Sequence, residues 1–83
     1  MSNASDHIAH GTPGALRHFV AECLHMAAFY ASMGVDYGAV GDDVGLELST
    51  RKATAAMRQA ISVMTMLKEA NGTLRQKGQP HEA

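Results

Sequence analysis

Apolar residues recur in both halves of this chain at alternating spacings of four and three. In the first half the series consists of Leu16, Val20, Cys23, Ala27, Tyr30 and Gly34. In the second half it consists of Ala53, Met57, Ala60, Met64, Leu67, Asn71 and Leu74. This spacing is typical of a helix packed lengthwise against another helix. The sequence therefore predicts two long helices folded back on each other.

Capping signals mark the start and the end of the first helix. Thr12 can accept hydrogen bonds from free backbone amides, and Pro13 is tolerated at the first helical position, where its missing N–H has no partner to lose. Gly34 accepts the left-handed conformation that often ends a helix. We therefore predict a first helix over residues 13–33.

The segment between the two series, residues 34–48, contains four glycines and three aspartates. Such a composition predicts a long loop. Ser49 or Thr50 is then expected to cap the second helix, which ends either near Asn71 or one turn later at Lys77.

Size favours a dimer. A chain of 83 residues with one cysteine has a small core and no intrachain disulfide to support it. The predicted fold class is all-α, an antiparallel two-helix hairpin with a long Gly/Asp-rich connection, dimerising into a four-helix arrangement. Residues 12–77 form the single domain, and residues 1–11 and 78–83 are predicted to be disordered tails.

The composition of the chain limits the cellular location and the kinds of partner that we expect for it. No apolar run approaches the roughly 20 residues that span a bilayer, no secretory signal is evident, and the lone Cys23 fits a cytoplasmic protein. Residues 1–48 carry one basic side chain against six acidic ones, whereas residues 49–83 carry six basic against two acidic. The small positive excess of the second half predicts no binding to nucleic acid, and the opposite halves attract when helices pair.

Each helix has more apolar surface than one neighbouring helix can cover. A second row on helix one, spaced by seven, includes Phe19 and Met33, and methionines are concentrated on both helices. Methionine adapts to irregular surfaces and is frequent where proteins bind varied partners. The residues predicted to serve as packing or contact surface in an interface are Leu16, Phe19, Met26, Phe29, Met33, Met57, Met64 and Met66.

The sequence gives little support for a catalytic site or a metal site. His18, Glu22 and His25 share one helix face and contain a Glu-x-x-His spacing, so they are the alternative candidates for a surface metal site. A carboxylate di-iron bundle would need several further carboxylates, and helix two offers only Glu69. Cys23 lies in the apolar series, where a thiol behaves as a small hydrophobe. We predict no catalytic residue, no cofactor and no enzymatic activity.

The layout resembles small bacterial two-helix proteins of the quorum-sensing anti-activator type. The resemblance covers about residues 12–75, and it is carried by the capped helix from Thr12, the Gly/Asp-rich segment 34–48 and the methionine-rich stretch 56–67. It implies a protein that binds a LuxR-type transcription factor and blocks its dimerisation or its binding to DNA. It assigns no functional residue.

The leading hypothesis is a non-enzymatic interaction protein, a small regulator that sequesters a transcription factor. The alternatives are a small metal- or ligand-binding helical bundle that uses His18, Glu22 and His25, and a structural subunit of a larger complex. Surplus apolar surface without catalytic groups favours the first.

Overall fold

The computed structural model describes residues 11–78, with side chains for residues 11–72. Helix α1 spans Pro13–Ala39 and helix α2 spans Asp43–Gly78, and the two helices pack against each other. Over residues 11–78 the structure contains no strand. The prediction of an all-α two-helix hairpin is confirmed. The predicted disordered tails, residues 1–11 and 78–83, lie outside the described residues except for their innermost glycines.

The beginning of α1 follows the predicted capping signal. The Thr12 hydroxyl accepts a hydrogen bond from the Ala15 amide at 3.2 Å, and the Thr12 carbonyl accepts one from the Leu16 amide at 2.9 Å. Pro13 occupies the first helical position. The cap at Thr12 and the proline after it thus account for the start of this helix.

The predicted end of α1 and the predicted long connection are wrong. The helix continues through Gly34 to Ala39, and only Val40, Gly41 and Asp42 lie between the two helices. Gly34 is buried, and a Cβ added there would lie 3.4 Å from the Cβ of Ser49 on α2. Glycine at this position lets the two helices approach closely instead of ending a helix.

The reversal of the chain is a Schellman motif that leads directly into the cap of α2. Gly41 has a φ of 74°, its amide donates to the Gly38 carbonyl at 3.1 Å, and the Asp42 amide donates to the Tyr37 carbonyl at 2.9 Å. The Asp42 side chain then accepts a hydrogen bond from the Gly45 amide at 2.9 Å. One residue thus closes the first helix and caps the second.

The predicted caps Ser49 and Thr50 lie inside α2 and cap nothing. Ser49 is buried, and the Thr50 hydroxyl donates to the Leu46 carbonyl one turn earlier at 2.8 Å. At its other end α2 reaches Gly78, so the later of the two predicted ends holds within one residue.

Substitution of Gly41 tests the turn. Gly41→Ala is expected to lower the free energy of unfolding by about 1–2 kcal/mol, because a Cβ disfavours the left-handed conformation. Gly14→Ala is the control, since that helical glycine has open space around it and alanine should stabilise it by up to about 1 kcal/mol. Urea denaturation monitored by circular dichroism measures both. Equal shifts for the two variants would argue against this account of the turn.

A small core lies between the helices. Its buried apolar side chains on α1 are Leu16, Val20, Cys23 and Ala27, and those on α2 are Ala60, Val63 and Leu67. The α1 set matches the predicted series, whereas Met57, predicted in the α2 series, is 42% exposed. The Cα atoms extend only 12 Å along the shortest axis of the molecule. The hairpin is therefore one layer of helices with two broad faces open to solvent.

Candidate interaction surface

An apolar groove runs along one face of the hairpin. From α1 it is lined by a row that includes Leu24, Ala31 and Val35, and from α2 by a row that includes Met57 and Ile61. The part nearer the turn has a volume of about 910 Å³. We call this surface the groove face.

The groove continues toward the end of the hairpin remote from the turn. A second depression of about 390 Å³ shares Leu24, Met57 and Ile61 with the first and extends to Met64 and Lys68. Large side chains along this path remain in contact with water, including Val35 at 72% and Ile61 at 63% exposure. Contiguous apolar surface of this kind is typical of a binding site for another polypeptide.

The opposite face carries a row at spacings of seven. Phe19, Met26 and Met33 form this row on α1, and Met66 occupies the corresponding side of α2. None of the four lines the groove. Met26 is 40% exposed and Met66 is 37% exposed, while Phe19 packs partly against the core. We call this second surface the methionine face.

The eight predicted interface residues therefore separate into distinct environments. Leu16 is 1% exposed and packs within the hairpin, so it is a core residue and cannot contact another chain. Met57 and Met64 line the groove. Phe29 is 53% exposed and stacks edge-on against the ring of Tyr30. The remaining four form the methionine face.

Sequence reasoning missed the α1 side of the groove. Leu24, Ala28, Ala31 and Val35 follow the same four-three spacing as the core series, displaced by one position around the helix. That spacing is visible in the sequence and was available as a signal. Whether this row forms one side of a groove depends on which residues of α2 lie beside it. The register of the two helices determines which residues those are.

The alternative metal site does not assemble. His18 Nε2 lies 3.9 Å from a Glu22 carboxylate oxygen, and both side chains, like that of His25, are exposed. Among the described residues, the structure forms no group of three or more His, Cys, Asp or Glu side chains that could hold a metal ion. The residues of this row can form a solvated ion pair when the histidine is protonated.

Charged groups are unequally distributed along the hairpin. Asp43 and Glu47 are exposed near the turn, and Glu47 pairs with Arg51 at 2.8 Å. Toward the other end, Arg17 is exposed on α1 and Lys68 lines the groove on α2. The turn end thus carries an excess of acidic groups, and Lys68 is the charged residue in the groove at the remote end, with Glu69 exposed beside it.

Cys23 is a buried free thiol in the core between the helices. Burial raises the pKa of this thiol, and the neighbouring Glu22 carboxylate raises it further. Because the thiolate is the reactive form, both the chemistry and the access of Cys23 are unfavourable for a nucleophile.

The reactivity of Cys23 reports on opening of the hairpin. We expect an aromatic disulfide reagent at neutral pH to modify the folded protein at least about a hundredfold more slowly than the urea-unfolded chain. Because the pKa of the Cys23 thiol is higher in the folded state than in the unfolded state, the free energy of unfolding should also fall as pH rises above the ordinary thiol pKa. Cys23→Ala should remove this pH dependence. Equal modification rates in the folded and unfolded states would contradict the buried placement.

Comparison with known proteins gives no relative: no family model, curated protein or solved structure matches the chain. Within residues 11–78, neither helix combines the length and the apolar character needed to cross a membrane.

Proposed function

We propose that the protein is a non-enzymatic interaction module, a small regulator that binds another protein through an apolar face of the hairpin. One observation carries the proposal: a single layer of two helices leaves large apolar side chains exposed on both of its faces. Exposed residues such as Leu24, Phe29 and Ile61 cost solvation free energy in an isolated chain. A bound polypeptide removes that cost.

We assign the methionine face to the target. Phe19, Met26, Met33 and Met66 offer flexible and polarizable side chains, which adapt to a partner of different shape. An amphipathic helix of a target can lie along such a face and place its apolar side chains between the two helices. The groove face then remains for a second copy of the chain.

The candidate target is a LuxR-type transcription factor, and sequestering it is the proposed regulatory activity. This part of the proposal rests on the layout resemblance to anti-activators, together with the exposed apolar surface. A bound regulator would cover a surface that the factor needs for its own dimerisation or for binding DNA.

A DNA-binding assay with matched variants tests this function. Purified LuxR-type regulators from the source cell are bound to their operator DNA, and the protein is added in excess. We expect the protein to lower operator binding and Met26→Lys to abolish that effect. His25→Lys is the control, because it places the same charge on the adjacent, exposed position.

Two results would count against the proposal. If the protein leaves operator binding unchanged for all of the regulators, the transcription-factor target is wrong. If Met26→Lys and His25→Lys also retain the same partners when used to capture proteins from the native cell, the methionine face has no role in binding.

A further inference from the structure

We infer that the groove face pairs with the groove face of a second copy of this chain, with the turn of each hairpin lying over the remote end of the other. This inference rests on the proposed function, since it identifies which face is closed by the protein itself and which is free for a target. The twofold axis of this dimer lies in the interface, runs perpendicular to the helices and passes near Ala28 and Met57.

The shape of the groove favours self-pairing in this direction. About an axis at Ala28, Leu24 of one copy lies opposite Ala31 of the other, so a large side chain meets a small one. On α2 the same axis passes near Met57 and brings Ile61 opposite Ala53. Large-to-small complementarity lets two helices approach closely and fills the groove.

The charges at the two ends favour the same direction. Asp43 and Lys68 lie at opposite ends of α2, separated by about 37 Å along the helix axis, so they cannot pair within one chain. When the turn of one copy lies over the remote end of the other, these two side chains come to the same level. The opposite arrangement, with turn over turn, would bring the acidic groups of both copies together and is disfavoured.

The length of the groove and the composition of its lining also resemble those of a dimer interface. The groove extends from Gly38 beside the turn to Lys68 near the far end, which is most of the paired length of the two helices. Its lining is mainly Ala, Gly, Leu, Val, Ile and Met, and its charged residues are Arg58, next to Met57, and Lys68 near the far end. A mainly apolar lining of this extent is typical of homodimer interfaces.

Sedimentation equilibrium with two matched variants tests the face. Ile61 and Ser62 are adjacent and exposed on α2, but only Ile61 lines the groove. We expect Ile61→Lys to weaken dimerisation by about a hundredfold or more and Ser62→Lys to leave it within about threefold, because only the first buries an unpaired charge in the interface. Circular dichroism verifies that both variants remain helical. A wild-type protein that is monomeric at about 100 µM, or equal dimerisation of the two variants, would overturn the inference.

Pulsed electron resonance between spin labels tests the direction. In a Cys23→Ala background, a single cysteine at Val40 carries the label, because Val40 lies in the turn and is 79% exposed. In the arrangement with each turn over the remote end of the other copy, the two labels are about 40 Å or more apart, because each turn lies about 20 Å along the helices from the axis. Turn over turn would leave them about 25 Å apart or less, given a helix spacing of about 10 Å.

The outcomes separate this inference from the proposed function. A label distance of about 40 Å or more supports the pairing. A short distance, or no dimer, overturns it, yet leaves the methionine face and its target to be judged by the Met26→Lys and His25→Lys comparison. Loss of target binding in Met26→Lys with an intact dimer would support both.

Discussion

Replacing Leu16 by alanine is expected to lower the free energy of unfolding by about 2–5 kcal/mol, the range for a fully buried leucine whose loss leaves a cavity. Leu16 is 1% exposed and is the largest completely buried side chain among residues 11–72. Several of the other buried side chains are small, among them Ala27 and Ala60, so they contribute little area to compensate. For so small a domain this loss is a large part of the total stability.

Leu48→Ala is the matched control for that experiment. Leu48 is 53% exposed, so truncation should change the free energy of unfolding by about 1 kcal/mol or less. Both variants are compared with the wild type in urea at one fixed protein concentration, because association would make stability depend on concentration. Similar losses for the two leucines would show that the core does not lie where Leu16 is placed.

The second large effect is expected at Gly45, and its sign should depend on Tyr37. A Cβ added at Gly45 would lie 2.6 Å from Cγ and 2.7 Å from Cε1 of the Tyr37 ring. These atoms belong to the base and body of the ring, so the ring or the helix must move. We expect Gly45→Ala to lower the free energy of unfolding by about 1–3 kcal/mol.

In a Tyr37→Ala background the same substitution should become stabilising by up to about 1 kcal/mol, because alanine is the better helix former once the ring is gone. Gly72→Ala serves as the control in the same helix, since that glycine has open space around it and should be improved by alanine in either background. Thermal and urea denaturation of the four Gly45/Tyr37 combinations give the coupling. If Gly45→Ala is equally harmful with and without Tyr37, the ring is not its cause.

The contrast between Gly41 and the other glycines explains why the sequence predicts some boundaries well and others poorly. Gly41 takes a positive φ, whereas Gly34 and Gly45 lie in helices and provide room for Ser49 and Tyr37. A local sequence pattern does not distinguish a glycine needed for its backbone conformation from one needed for its missing side chain. Asp42 directly after Gly41 is the local signal that was present, since a cap residue there can begin the next helix.

The start of α1 and the α1 core series were predictable because they depend on local hydrogen bonding and on helical periodicity. Thr12 and Leu16 illustrate the two cases. The groove was not predictable to the same degree, because it needs the register of α1 against α2. A register that places Gly34 beside Ser49 brings the rows of Leu24 and Ile61 to one face. The three-residue reversal sets that register, whereas the composition of residues 34–48 predicts a much longer loop there.

The shortness of this reversal also has a kinetic consequence. Closing a short loop costs little chain entropy, so contacts next to the turn, such as Gly34 with Ser49, can form first and nucleate pairing toward Leu16. Gly45→Ala should then slow refolding, whereas Leu16→Ala should chiefly accelerate unfolding, as stopped-flow chevron plots would show. Pairing of the two helices would then begin at the turn and proceed toward the open end of the hairpin.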